Sequence, residues 1–265
     1  MPVKNDALEE IETFSRVFRL GLLFSTTLRP LLTLGFDGMK KMSAWMDFSI
    51  SPAYGKKYPD VPFGLTLIAD CEPLTDSAAF DQYKRKRLRT MRKRETLAQI
   101  SRRIAVYDRF FRSFGFPCPL PEHLERTVHS GFPKYNLFVD AHFMAEMCAG
   151  ILVAVTDYDR VEGMLILDVA QAGETALGMG GRLFTTKEGE IVLRDEKEII
   201  CVLCQGADEK TRVRDTTRNV LFYSYGVPGI DAVHLREGLT VAAETLTRFG
   251  QGTVRGSEVF VGGSV

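Results

Sequence analysis

The chain has 265 residues, of which 45% are hydrophobic and 26% are charged, and this composition is typical of a globular protein. Its 34 basic residues balance its 34 acidic residues, which excludes a strongly basic or acidic protein and names no partner. The length allows one large domain or two small ones, and we expect one main domain with an extension. Five cysteines, an odd number, and no signal peptide pattern favour a reduced, cytoplasmic protein.

The first 45 residues have the pattern of helices. Apolar side chains recur at helical spacing from Leu8 to Phe18, and Pro30 interrupts the segment. The apolar stretch 20–36 contains an arginine and is shorter than the roughly 20 apolar residues that a membrane span needs, so we expect no obligatory membrane contact. We predict a helical extension over residues 1–45 that covers the main domain, forms a homodimer with a second copy, or lies on a membrane surface.

Residues 76–114 contain no proline and predict one long helix or two. Eight lysine and arginine residues lie between positions 84 and 94. Such a run attracts polyanions, although it is equally compatible with a solvated helix face whose charge is compensated elsewhere. For a nucleic acid contact we single out Arg85, Arg87 and Arg92.

The rest of the chain mixes strand patterns with separate helical ones. Residues 47–69 predict two strands around a turn-rich loop, and the chain after Gly150 is rich in short β-type runs. Helical patterns recur at 121–129, 137–148 and 230–250. We expect residues 251–265 to form a mobile tail. Strands and helices in separate blocks indicate an α+β fold.

Five short motifs follow one another in this part of the chain. They are NLFVDAHFMAEM, DYDRVEG, AGET, EGEIVL and KTRVRDTTRNVLFY. In this order, over about residues 48–250, the set resembles the tRNA-binding, editing module of the phenylalanyl-tRNA synthetase beta subunit, in its free-standing form. The resemblance implies an α+β fold with a β-sandwich of unusual topology flanked by helices, which we place at residues 46–250. It also implies a pocket, which in the synthetase hydrolyses the ester of a wrong amino acid on tRNA.

Three polar positions of the synthetase pocket are replaced here. Where the resemblance implies an Asn, a His and a Glu, this sequence has Phe143, Ala154 and Tyr223. Backbone amides of turns and the ribose hydroxyl beside the ester can support hydrolysis without a strong protein base, so catalysis stays open. We take His142, beside the replaced Asn, and Tyr223 as catalytic candidates, with a structural role as the alternative for each.

Other candidates belong to the same motifs. Tyr223 and Tyr225 alternate on one strand and either donate phenolic hydrogens to a substrate or pack in the core. Thr211 and Thr217 either line the pocket or fix a turn. Asp157 lies in a turn without the spacing of a calcium loop, and is either structural or at the pocket rim. The predicted substrate-binding residues are Phe143, Ala154, Asp157, Thr211, Thr217, Tyr223 and Tyr225.

No motif indicates a metal or a cofactor. Cys201 and Cys204 have half of a zinc-site spacing without a second pair, and the sequence GMGG from Gly178 lacks the lysine of a phosphate loop. We therefore expect neither a metal nor a cofactor. Arg212 completes the predicted tRNA contacts.

Three hypotheses follow from the sequence. The first is a stand-alone protein that binds tRNA or aminoacyl-tRNA and hydrolyses a mischarged amino acid in trans. The second is a non-catalytic module that binds tRNA or an aromatic amino acid and has lost the hydrolase. The third makes the N-terminal helices a dimerisation or membrane-surface element.

Overall fold

The computed structural model describes residues 43–72 and 77–261. The predicted extension over residues 1–45 therefore lies almost wholly outside the described residues. The helices of the described part are α1 (Pro52–Lys57), α2 (Ala78–Met91), α3 (Arg94–Ser113), α4 (Leu120–Ser130), α5 (Leu137–Ala149) and α6 (Ala232–Phe249). Its strands are β1 (Phe48–Ile50), β2 (Pro62–Ala69), β3 (Leu152–Asp157), β4 (Leu165–Val169), β5 (Thr175–Gly178), β6 (Arg182–Thr185), β7 (Ile191–Arg194), β8 (Ile199–Val202), β9 (Gly206–Ala207), β10 (Val220–Tyr225) and β11 (Thr253–Val261).

Two sheets form the centre of the fold. One has five strands in the order β1-β4-β7-β8-β9, with β1 parallel to β4 and the other pairs antiparallel. The other has four antiparallel strands in the order β11-β2-β10-β3. The sheets share one core, where the ring of Phe48 lies 5.6 Å from that of Phe63 and 4.8 Å from that of Phe260. The predicted α+β class is confirmed.

The central strands of the four-stranded sheet are covered on both faces. β10 is buried at every position and β2 at all but its last, which explains why their sequences read as continuous rather than alternating apolar runs. Helix α6 packs against both of these strands. Gly64 of β2 permits this approach, since a Cβ there would come within 2.6 Å of Leu239 in α6.

Helix α5 lies in the interior and positions the site described below. Asn136 caps it by accepting a backbone N–H of the first turn, and Gly150 ends it in the left-handed conformation, with a φ of 67°. The helix packs against α6 and β3, and against α2 and α4. Asp140 is buried within it, and its Oδ2 atom lies 2.8 Å from Nζ of Lys84, which is also buried.

The structure adds detail to two predicted regions. The loop predicted between the strands of residues 47–69 contains helix α1, which begins where Ser51 accepts a hydrogen bond from the backbone N–H of Tyr54. The described part of the basic segment, residues 77–114, contains two helices, α2 and α3. Among residues 43–72 and 77–261, none of the helices has the length and apolarity that a membrane crossing requires.

The prediction of a mobile tail is wrong for residues 253–261. They form β11, which pairs antiparallel with β2. The Oγ1 atom of Thr66 and the Oγ atom of Ser257 share a hydrogen bond of 2.7 Å across this pair. Phe260 contributes its ring to the core between the sheets, so the folded domain extends beyond the predicted boundary at residue 250.

If β11 is an integral part of the domain, removing the ring of Phe260 should destabilise the whole protein. We expect Phe260→Ala to lower the free energy of unfolding by about 3 kcal/mol, the lower end for a buried phenylalanine, because β11 is an edge strand. Glu258→Ala, at an exposed position of the same strand, should change it by less than about 0.5 kcal/mol. Chemical denaturation measures both, and equal unfolding midpoints for the two variants would contradict the assignment.

Candidate functional site

A cavity of about 580 Å³ lies between helices α3, α4 and α5, strand β3 and the segment 201–213. Most of its wall is apolar. The apolar residues that line it come from several helices, strands and loops of the described part of the chain. They include Phe111, Phe116, Phe143, Leu152, Val155 and Val213. This volume and lining are those of a small-molecule pocket, in which a few polar groups set the orientation of the ligand.

A cluster of two histidines and one glutamate forms the polar part of the wall. His142 and Glu146 lie one turn apart on α5, and His123 reaches them from α4. Oε1 of Glu146 lies 3.4 Å from Nε2 of His142, and Oε2 lies 3.7 Å from Nδ1 of His123. The side chain of Glu146 is 3% exposed, whereas each imidazole is 21% exposed. The carboxylate therefore lies behind two half-buried imidazoles.

The backbone of β3 fixes the geometry of this cluster. Nε2 of His142 lies 2.8 Å from the carbonyl oxygen of Val153, and the N–H of Val153 donates to Oε1 of Glu146 at 3.3 Å. The ring of Phe143 packs against both imidazoles, with its centroid 5.0 Å from that of His123 and 5.2 Å from that of His142. Nδ1 of His123 and Oε2 of Glu146 have no hydrogen-bond partner among the described residues, since 3.7 Å exceeds hydrogen-bond range.

Burial and charge act in opposite directions on these groups. Burial raises the pKa of Glu146, but the adjacent imidazoles of His142 and His123 lower it by more, so its pKa lies below the ordinary value. Burial lowers the pKa of His142, but the carboxylate of Glu146 and the carbonyl of Val153 raise it by more, so its pKa lies above the ordinary value. The site thus favours a carboxylate beside an imidazole that protonates easily.

Five of the predicted catalytic and substrate-binding residues meet at this cavity. His142 and Phe143 come from α5, Ala154 from β3, Thr211 from the segment after β9, and Tyr225 from β10. Thr211 also fixes its own turn, because its hydroxyl bonds to the carboxylate of Asp208 and to the hydroxyl of Thr156.

Tyr223 does not line this cavity, which corrects its predicted place there. It is fully buried on β10, and its ring lies 6.5 Å from that of Phe63 in the core. Its hydroxyl has no hydrogen-bond partner among the described residues. Burial, together with the neighbouring Cys201 thiol, raises its pKa well above the ordinary value, so it is a poor proton donor.

Asp157 and Thr217 are also absent from the cavity wall, which corrects their predicted place at the substrate. The hydroxyl of Thr217 donates to Oδ2 of Asp157 at 2.7 Å, and Oδ1 accepts the backbone N–H of Asp159 at 3.3 Å. Asp157 thereby caps the 3-10 helix Tyr158–Arg160. The structural alternative for the DYDRVEG turn is the one that this geometry supports.

The predicted tRNA-binding arginines differ in their surroundings. Arg85 is exposed, whereas Arg87 donates to the hydroxyl of Tyr83 and forms an ion pair with Glu244. Arg92 donates to the carbonyl oxygen of Val128 at the end of α4. These two arginines hold α2 to its neighbours. Apart from Arg92, the exposed cations between positions 84 and 94 that form no ion pair with a described residue are Arg85, Lys86, Arg89, Lys93 and Arg94.

Two further arginines lie on the exposed side of the cavity. Arg212 lines it and pairs with Glu209, with Nε and Oε1 3.2 Å apart. Arg182, which follows the sequence GMGG, lines it as well, and its guanidinium lies 5.4 Å from the ring centroid of Phe184. The cavity therefore has cations towards solvent and the imidazole cluster in its wall.

Three residues of the cavity wall, His123, Glu146 and Arg182, were not among the site residues predicted from the sequence. Helical spacing could have indicated Glu146, because His142 and Glu146 are four residues apart and therefore lie on the same side of a helix. His123 belongs to another helix, so its approach depends on the tertiary packing of α4 against α5.

The described residues contain no group of three or more His, Cys, Asp or Glu side chains arranged to hold a metal ion. All five cysteines are free thiols. Burial raises the pKa of Cys201 in the cavity wall to about 11, which makes it a poor nucleophile at neutral pH.

Comparison with known proteins finds similarity to phenylalanine–tRNA ligase beta subunits. Two curated relatives are each 30% identical over 87 residues, namely the phenylalanine–tRNA ligase beta subunits of Mycoplasma pneumoniae and Mycoplasma genitalium. The match covers 33% of this chain and 11% of each relative, so the chain spans about a tenth of their length.

A solved structure of an N-terminal fragment of the phenylalanyl-tRNA synthetase beta subunit from Pyrococcus horikoshii is also similar. It is 13% identical and covers 83% of this chain and 51% of that chain, with a TM-score of 0.41. The B3/4 domain matches residues 105–256 of this chain. This segment is more than half of the sequence and contains nearly all of the cavity wall, and the resemblance inferred from the sequence motifs is confirmed: the chain belongs to the B3/4 domain family.

Proposed function

We propose that this protein binds the aminoacylated 3′ end of tRNA and hydrolyses the ester of a mischarged amino acid in trans. The observation that carries the proposal is the cavity, whose wall combines apolar rings, an imidazole and carboxylate cluster, and exposed arginines. Membership of a family found in phenylalanine–tRNA ligase beta subunits supports a substrate related to tRNA. A cytoplasmic place of action is part of the proposal.

The cavity fits the chemistry of such a ligand. Its volume of about 580 Å³ is large enough for an amino acid esterified to a nucleoside. The aromatic and aliphatic wall suits a large apolar side chain. Arg182 and Arg212, which are exposed at the cavity, can contact a phosphate of the nucleotide end.

The exposed cations of α2 and the start of α3 suit the remainder of a tRNA. Arg85 and Arg89 lie one helical turn apart on α2 and form no ion pair with a described residue. Lys93 and Arg94 are exposed where α2 ends and α3 begins. Phosphate contacts of this kind provide affinity without sequence preference.

A non-catalytic binding module is the second candidate, and one observation favours it. The positions where the resemblance implies polar pocket groups carry Phe143, Ala154 and Tyr223, and the first two lie in the cavity wall. Apolar groups at these positions bind a side chain well but do not position water. The candidates differ in a single measurable outcome, which is release of the amino acid.

We expect the wild-type protein to release the amino acid from one member of a panel of correctly and wrongly charged tRNAs. The rate should saturate with protein concentration and exceed spontaneous hydrolysis of the same ester. The measurement is loss of radiolabelled amino acid from tRNA over time. Tight binding without release across the whole panel would support the non-catalytic module, and absence of both would contradict the proposal.

Neutralising Arg85 and Arg89 together should weaken tRNA binding in a salt-dependent manner. Each cation that contacts a phosphate contributes about 0.7 to 0.9 to the slope of log K against log salt concentration, so we expect the double alanine variant to reduce this slope by about 1.5. Filter binding at several salt concentrations measures the change.

The matched control removes the same charge from another surface. Lys56 and Lys197 are exposed cations far from α2 in the sequence and form no ion pair with a described residue. The variant Lys56→Ala with Lys197→Ala should bind tRNA with the wild-type slope. If both double variants changed the slope equally, the surface formed by α2 would have no special role.

A further inference from the structure

The cluster of His123, His142 and Glu146 leaves one ring nitrogen of His142 available to accept a proton. Nε2 of His142 lies 2.8 Å from the carbonyl oxygen of Val153. A carbonyl oxygen can only accept, so Nε2 must carry a proton in both charge states of the ring. In the neutral imidazole, Nδ1 is therefore the basic nitrogen.

This nitrogen has no hydrogen-bond partner among residues 43–72 and 77–261, and the ring that carries it is part of the cavity wall. The carboxylate of Glu146 lies on the Nε2 side, 3.4 Å away, where it stabilises positive charge on the ring. The tautomer and the basicity of His142 are thus fixed by the groups around Nε2, and Nδ1 is left without a hydrogen bond. This is the arrangement of a general base.

We propose that His142 is the general base of this cavity and that Glu146 is its positioning residue, acting on the ester of a large apolar amino acid with a ribose hydroxyl. This assignment rests on the proposed function, and it places the chemistry on side chains other than those that the resemblance implied. His123 on α4 closes the far side of the carboxylate, so that Glu146 lies between two imidazoles.

The reaction is a hydrolysis and needs no further reactant than water. Nδ1 of His142 accepts a proton from a water molecule while the water oxygen bonds to the ester carbonyl carbon. The bond between that carbon and the ribose oxygen then breaks, and the proton passes from Nδ1 to the departing oxygen. The products are the free amino acid and tRNA with a free hydroxyl, and the imidazole returns neutral.

The groups around the cluster determine how its rate depends on pH. The titratable side chains that face Glu146 are His142 on the same helix, His123 on α4, Cys118 before α4 and Tyr107 on α3. Burial raises the pKa of Cys118 to about 12 and raises the pKa of Tyr107 above its ordinary value, so both are neutral near pH 7. The pH dependence of the cluster therefore follows His142, whose pKa is raised by the carboxylate of Glu146 and the carbonyl of Val153 against the opposing effect of burial.

The test uses the full chain and the charged tRNA that it deacylates fastest. Because the neutral form of His142 is the base, the catalysed rate, after subtraction of spontaneous hydrolysis, should rise with pH through the raised pKa of His142 and then level off. We expect His142→Gln to lower this rate by about 10² to 10⁴, the range for removal of a general base, while the affinity for the same charged tRNA changes less than threefold.

Glu146→Gln should move the midpoint of the pH profile to lower pH and lower the plateau, because the negative charge that raises the pKa of His142 is removed. A purely structural role of Glu146 would lower the rate at all pH values without moving the midpoint. His129→Ala, at an exposed histidine at the end of α4, is the matched control and should keep the wild-type rate and profile.

The outcomes separate the assignment of His142 as general base from the proposed hydrolysis itself. Release of amino acid by the wild-type protein together with an unchanged rate in His142→Gln would overturn the assignment and leave the proposed function intact. A wild-type profile without a histidine-like rise would do the same even if both variants failed to fold. Absence of release by the wild-type protein would end the proposed hydrolysis and the assignment together.

Discussion

The burial of two carboxylates on one helix is the constraint on which the rest of this structure depends. Asp140 and Glu146 are each at least 97% buried on α5, and an uncompensated buried charge costs several kcal/mol. Asp140 is compensated by Lys84 of α2 and by the backbone N–H of Tyr135. Glu146 is compensated by imidazoles from α4 and α5 and by the backbone of β3. The positions of α2, α4 and β3 around α5 follow from these contacts.

The same compensation gives the cavity its chemical character. The side chain of Glu146 is only 3% exposed in the cavity wall, so it acts on the cavity mainly through the two imidazoles beside it, each 21% exposed. In the proposed function, the apolar wall binds the ligand by shape and the electrostatically tuned imidazole is the single reactive group. This differs from the arrangement that the resemblance implied, in which three separate polar side chains serve the pocket.

The periodic patterns of the sequence predicted most of the fold, because strands such as β10 and helices such as α6 carry apolar runs of the right length. β11 escaped prediction because its pattern is interrupted by Gly256 and mostly exposed, so its pairing with β2 is a tertiary effect. Of the site, His142 and Phe143 were found from one motif. His123 could not be found, since its approach depends on how α4 packs. Tyr223 was misplaced because it shares a strand face with Tyr225, and alternation does not say that Tyr225 lines the cavity while Tyr223 packs in the core beside Phe63.

The strand order of the four-stranded sheet affects how the protein folds during its synthesis on the ribosome. β2 is made early, yet both of its neighbours, β10 and β11, come from the end of the sequence, and Thr66 bonds to Ser257 across 191 positions. Contacts so distant along the chain form slowly. The apolar strand β2 therefore stays unpaired until β10 and β11 have emerged, and during this interval the nascent polypeptide is most exposed to aggregation and most in need of chaperones.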